Sequence, residues 1–159
     1  MASFRKRGKS WEYRVTKDGE VYSKSGFRTK TEAKVAADKI EYELNIGMQL
    51  DKADQLFVDY YKEWIEVYKL GVFSKGTDNF YLNALALIEQ YFPNHKLKDI
   101  TREEYQAFLN DYADNNGDMR SKETVRKTHT KISASVRDAV ASGYITHNHM
   151  HRINIRGKE

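Results

Sequence analysis

Ser10-Trp11-Glu12-Tyr13-Arg14-Val15-Thr16-Lys17-Asp18-Gly19-Glu20 is the stretch whose reading decides the first part of the fold. Trp11, Tyr13 and Val15 alternate with Glu12, Arg14 and Thr16, the two-residue period of a strand with one buried face. Asp18-Gly19 is a strong hairpin signal, because tight two-residue turns need positive φ at their centre. Gly8-Lys9-Ser10 supplies turn chemistry on the other side. Phe4–Arg7 and Val21–Lys24 then provide the outer strands, and residues 3–27 read as a three-stranded antiparallel sheet.

A helix follows the sheet. Thr29 or Thr31 can cap it, and Glu32 suits its positive first turn. Ala33, Ala36, Ala37, Ile40 and Leu44 form one apolar stripe, and Asn45-Ile46-Gly47 reads as the end. Residues 1–47 thus predict a small β-β-β-α unit, marginal by size alone, with one sheet face under the helix and the other open. Residues 48–53 read as a connector.

From Asp54 the pattern is helical. Leu56, Tyr60, Trp64, Val67 and Tyr68 predict one helix face. Ser74-Lys75-Gly76-Thr77 opens the next helix, with Phe80, Leu82, Leu85, Leu87, Ile88 and Tyr91 apolar and Pro93 just beyond its end. Thr101-Arg102-Glu103-Glu104 is a capping box for a third, with Tyr105, Phe108, Leu109 and Tyr112 inward. After the Asn115-Asn116-Gly117-Asp118 loop, Ser121 starts a fourth, with Val125, Ile132, Val136, Ala139 and Val140 inward. Residues 54–146 therefore predict an all-α four-helix domain, and 147–159 a tail. The fold class is α+β.

The net charge is +4 over 159 residues, unevenly spread. Residues 1–34 hold 10 Lys/Arg against 4 Asp/Glu, residues 35–119 hold 8 against 16, and residues 120–159 hold 9 against 3. Two basic regions flank an acidic middle, as a polyanion partner would favour; solvated surface charge is the plainer alternative. No apolar run approaches the roughly 18 residues of a membrane span, and the N-terminus lacks the apolar stretch of a signal peptide. The absence of cysteine excludes disulfides and thiolate metal sites and points to a reducing cytoplasm.

With Trp11, Tyr13 and Val15 inward, Glu12, Arg14 and Thr16 face outward. Arg5, Arg7, Lys24 and Arg28 are expected near that open face, and Lys6, Lys9 and Lys17 at the turns. A sheet face bearing Arg, Lys, Thr and Ser fits a DNA major groove. On the fourth helix, Arg126, Lys127, Thr130, Lys131, Ala134 and Arg137 lie opposite the core stripe. Lys75 and Thr77, at the start of the second helix, can meet a phosphate with its N-terminal amides. Each set has a bland alternative as ordinary solvent-exposed charge. No catalytic constellation is present. His147, His149 and His151 alternate, but no acidic or thiolate ligand accompanies them, so neither a metal nor a cofactor is expected.

These residues carry a resemblance. Phe4 to Val15, followed by Ser25-Gly26-Phe27-Arg28-Thr29-Lys30-Thr31-Glu32-Ala33, resembles the N-terminal arm-binding domain of phage integrases of the tyrosine recombinase family. The segment 54–148 resembles their SAM-like core-binding domain, through Thr77, Leu97-Lys98-Asp99-Ile100-Thr101, Tyr105-Gln106-Ala107-Phe108-Leu109-Asn110 and Ala139-Val140-Ala141-Ser142-Gly143-Tyr144-Ile145. The resemblance implies binding to arm-type sites by the sheet and to core sites by the helices, for site-specific DNA recombination and phage genome integration. Double-stranded DNA and other integrase protomers are the implied partners, with no membrane and no small-molecule substrate, in the cytoplasm of a bacterial host. The family's chemistry, attack by a tyrosine on a DNA phosphate, belongs to a C-terminal catalytic domain. This chain is expected to stop near the linker into that domain, so that it binds DNA without cutting it, and no tyrosine here is the nucleophile. One departure is Asn148-His149, where the family often has Asn-Pro. A stand-alone DNA-binding regulator and a helical protein-interaction module are the alternatives.

Overall fold

The computed structural model describes residues 1–159, which divide into two compact units, Met1–Leu50 and Asp51–Glu159. The first is a three-stranded antiparallel sheet in the order β1 (Ala2–Arg7), β2 (Ser10–Lys17), β3 (Glu20–Phe27), followed by α1 (Lys30–Asn45). Asp18 and Gly19 both take positive φ, 50° and 84°, as the β2–β3 turn requires. Thr29 caps α1 by accepting from the Glu32 amide, and the Glu32 carboxylate accepts from the Arg28 amide.

The alternation within β2 governs burial. Tyr13 and Val15 are buried against Ala37 and Leu44, with Phe4, Tyr22, Phe27 and Ile40 packed around them, and Ala33 on the same helix is buried too. Trp11 is half-buried, while Arg14 and Thr16 are exposed. Two strands alone would be marginal in water; the covering helix supplies the apolar burial that holds this sheet together.

The register corrects one expectation. Between Trp11 and Tyr13 on β2 the partner strand advances from Phe27 to Lys24, so β3 carries one extra residue there. Gly26, with φ 94°, takes the left-handed conformation at this bulge. Lys24 pairs with Tyr13 and therefore belongs to the helix side of the sheet, not the open face. Ser23, paired with Arg14, takes the outward place.

The second unit contains one turn of helix, α2 (Leu50–Ala53, which begins at the boundary), then α3 (Phe57–Tyr68), α4 (Lys75–Tyr91), α5 (Arg102–Asp114) and α6 (Lys122–Ala141), with 3-10 turns at Leu97–Asp99 and Asn115–Gly117. Ser74, Thr101 and Ser121 cap α4, α5 and α6. The connector expected at 48–53 thus includes a helical turn. The core is aromatic: Phe108 stacks with Tyr91, Phe92 and Tyr105 at ring separations of 4.8, 5.5 and 5.6 Å.

Two helix faces differ from expectation. On α3 the buried set is Phe57, Tyr60, Tyr61, Trp64 and Ile65, while Val67 and Tyr68 stand in solvent. On α4 it is Tyr81, Ala84 and Ile88, and Leu82 is exposed. Both helices carry apolar residues around much of their circumference, so packing rather than periodicity selects the face. On α6 two polar residues, Thr128 and Ser135, share the buried face; Ser135 donates to the Ile132 carbonyl, which satisfies its hydroxyl.

The segment after α6 packs against its unit. Met150 is buried, and Ile153 and Ile155 lie on the core. The amide and carbonyl of Asn154 bond to the Gln106 side chain at 2.9 Å each. Lys158 pairs by backbone with Arg120 and Lys122. Gly157 makes this close pass possible, since a Cβ there would lie 2.5 Å from the Lys122 amide nitrogen. The tail read at 147–159 is therefore a docked strap, held by alternating Ile153, Ile155 and Gly157.

Candidate nucleic-acid interface

The uncovered sheet face is built by the strand pairing. In β1 and β2, Ser3 is opposite Arg14 and Arg5 opposite Glu12; in β2 and β3, Arg14 is opposite Ser23 and Thr16 opposite Val21. These side chains share one face, because directly paired residues of an antiparallel ladder point the same way. Ser3, Arg5, Glu12 and Arg14 surround a shallow depression. Arg7, at the end of β1, places its Nε 3.0 Å from Glu12 Oε2.

Arg5, Arg7, Glu12, Arg14 and Thr16 therefore come together as the alternation predicts. Lys9 is exposed in the β1–β2 turn and Arg28 just beyond β3, so neither is part of the strand ladder. Ser3 and Ser23 were missed. Only the strand register identifies them, through Arg14 between them. Lys6 pairs with Trp11 on the helix side. Lys17 is engaged elsewhere: its Nζ donates to the Leu44 carbonyl and to Asn45 Oδ1, both at 2.9 Å, and so closes the C-terminus of α1. Its expected place at a phosphate is corrected accordingly.

In the helical unit α4 packs on α6, which joins two of the predicted sets. Lys127 Nζ lies 5.7 Å from the Phe80 ring centre and 2.8 Å from Glu123 Oε1; Lys131 Nζ lies 5.0 Å from the Tyr81 ring centre. Phe80 and Tyr81 lie one helical turn after Thr77, whose amide and hydroxyl both meet Ser74 Oγ. Thr77, Lys127 and Lys131 thus lie near one another through Phe80 and Tyr81, while Lys75 is exposed at the first position of α4. Thr130 donates to the Arg126 carbonyl at 2.8 Å, and both residues are exposed. Lys127 holds the Glu123 carboxyl below its ordinary range, by hydrogen bond and charge.

Several tyrosines and one histidine of this unit are tied into its packing. Tyr61 and Tyr105 are buried and their hydroxyls pushed well up by desolvation. Tyr91 is pushed up to about 12, chiefly by donating to Asp111. Tyr105 meets His129 Nδ1 at 2.8 Å, and burial, followed by the charge of Arg137, lowers His129 below its ordinary value. No group of three or more His, Cys, Asp or Glu side chains gathers to hold a metal. No helix is long and apolar enough to cross a membrane.

The family model of the phage integrase N-terminal SAM-like domain matches residues 56–112. The helical unit carries an integrase SAM-like domain. The integrase of Escherichia phage lambda is 33% identical over 91 residues, which are 55% of this chain and 24% of that one. The chain thus spans about a quarter of the curated relative it matches. A phage integrase fragment from Staphylococcus saprophyticus is 37% identical with a TM-score of 0.57, covering 64% of this chain and 88% of that one. A lambda integrase dimer bound to a core site aligns over 98% of this chain and 45% of that one, at a TM-score of 0.58 and 20% identity. That last likeness is one of fold. The SAM-like match covers α3, α4 and most of α5; α6, with Lys127 and Lys131, continues the same packed unit.

Proposed function

We propose that this chain is the DNA-addressing portion of a phage or mobile-element integrase. The sheet binds arm-type sites and the helical unit binds the core site in site-specific recombination. The observation that carries this reading is the open sheet face. Ser3, Arg5, Arg14, Thr16 and Ser23 form rows of donors and cations on the side that α1 leaves uncovered. A two- or three-stranded ribbon of this width fits the major groove, where such side chains meet base edges. Arg5, Arg7, Arg14 and Thr16 are its proposed reading residues, with Glu12 standing among them on the same DNA-facing surface and Lys9 and Arg28 as flanking phosphate contacts.

Lys75, Thr77, Arg126, Lys127, Thr130 and Lys131 are the proposed contacts to the core site. Lysines held over aromatic rings act there as phosphate contacts, which position DNA without reading it. The SAM-like match supports this assignment. Other integrase protomers on the same DNA are the proposed protein partners, and the bacterial cytoplasm, where attachment-site DNA lies, is the place of work. Strand cleavage is proposed for the parent recombinase, not for residues of this chain.

The test is duplex binding by the full chain across a salt series. The reading expects sequence-selective complexes whose affinity falls linearly with log salt. Equal, salt-insensitive association with any duplex, or none, would overturn it and favour a protein-interaction module.

A further inference from the structure

One carboxylate stands among the guanidinium groups of the open sheet face. Glu12 lies opposite Arg5 and shares its depression with Arg5 and Arg14. Its Oε2 is 3.0 Å from Arg7 Nε, and its side chain is only 14% exposed, against 56% for Arg7. On a surface that served only to attract phosphates, this negative charge would oppose binding. The geometry gives it another use. A guanidinium has five N–H donors in a rigid fork. The contact to Glu12 engages Nε and leaves the four Nη donors at the exposed end of the side chain. Those donors match the O6 and N7 acceptors of guanine in the major groove. An arginine already tied to a shielded carboxylate has less rotamer freedom to lose on docking. Neither Arg5 nor Arg14 forms an ion pair, so Arg7 is singled out on this face.

We propose that Glu12 is a positioning residue that fixes Arg7 as a guanine reader, so that the pair sets base preference at one position of the arm-type site. The proposal rests on the reading that the open sheet face enters a DNA groove. It assigns Glu12 to specificity and not to affinity.

The experiment is selection from a pool of randomised duplexes by the full chain, as wild type, Glu12→Gln, Arg7→Ala and the double variant, followed by competition titrations. The wild type is expected to enrich a motif containing guanine. Glu12→Gln is expected to lose preference at one guanine by roughly fivefold to a hundredfold, the span of one bidentate base contact. Other positions stay as they were. Its affinity for an unselected duplex holds or rises, because a negative charge has left the DNA-facing surface. Arg7→Ala loses the same position, and adding Glu12→Gln to it changes base preference no further. An unchanged motif in Glu12→Gln would overturn the proposal, as would a uniform flattening at every position, which marks a merely structural role. A wild type that enriches no motif would sink the groove-reading premise itself, and the proposal with it.

Discussion

The sheet of the first unit and α6 of the second both display cations, but in different ways. On the sheet, Arg5 and Arg14 project from a backbone ladder with fixed register, beside serine and threonine hydroxyls. On α6, Lys127 and Lys131 bend over Phe80 and Tyr81, and Lys127 is also paired with Glu123. Arginines set out on a rigid pleat suit bidentate contacts to base edges, whereas ammonium groups laid over rings offer charge with little geometry. The two regions also differ in depth of core. The sheet rests on Tyr13, Val15, Ala37 and Leu44; the helical unit buries a far larger cluster in which aromatic rings are mixed with aliphatic side chains.

Truncating each core gives the largest expected contrast. Tyr13→Ala should cost about 3–5 kcal/mol, as large aromatic truncations do. A domain of the first unit's size rarely has more than about 3–5 kcal/mol to lose. Residues 1–50 should then unfold, with loss of sheet-mediated binding, while far-ultraviolet circular dichroism retains the helical signal. Ile88→Ala should cost about 2–5 kcal/mol in the larger unit and leave the sheet's amide spectrum intact. One shared transition for both variants would break the comparison.

Next in size is the division between reading and positioning. Arg14→Ala should weaken binding to the selected duplex by about 1–3 kcal/mol and relax preference at one base. Lys131→Ala should weaken all duplexes alike and reduce the salt slope by about one. Titrations of both variants at several salt concentrations decide this. A base-specific loss in Lys131→Ala would contradict the assignment of α6.

The smallest expected effect is in pH. All five histidines lie in the second unit. His129 is lowered by burial and then by Arg137, and His149 by burial and its neighbouring histidines. Each binds its proton less readily in the folded state than in the unfolded chain. Their contribution is therefore present above the ordinary histidine value of 6.5 and is lost as pH falls below it. Denaturation midpoints measured from pH 7.5 to about 5.5 should fall for the helical unit and stay level for the sheet unit. His129→Gln should flatten part of that fall. A midpoint for the second unit that rises on acidification would refute the sign.

Much of this organisation was legible in the chain. The Trp11–Val15 alternation and the Asp18-Gly19 turn define the central strand and its hairpin, and Thr29, Ser74, Thr101 and Ser121 mark helix starts through a local hydrogen bond each. What escaped depends on contacts between distant segments. The extra residue near Gly26 moves Lys24 to the helix side; a glycine inside a strand is the local sign of such a bulge, but a strand read as ending at Lys24 leaves Gly26 outside it. Val67, Tyr68 and Leu82 are apolar yet exposed, because α3 and α4 carry more apolar residues than one face can bury. Lys17 reaches the end of α1, 27 residues away. The strap through Gly157 depends on the backbone of Lys122, which no local pattern encodes.

The central claim is that the open face of the sheet addresses DNA. Amide and side-chain chemical shifts of the full chain, titrated with the duplex it selects, test it most directly. The account predicts changes at Ser3, Arg5, Glu12, Arg14, Thr16 and Ser23, with the outer face of α1 silent. Changes confined to α1, or to the helical unit alone, would contradict it.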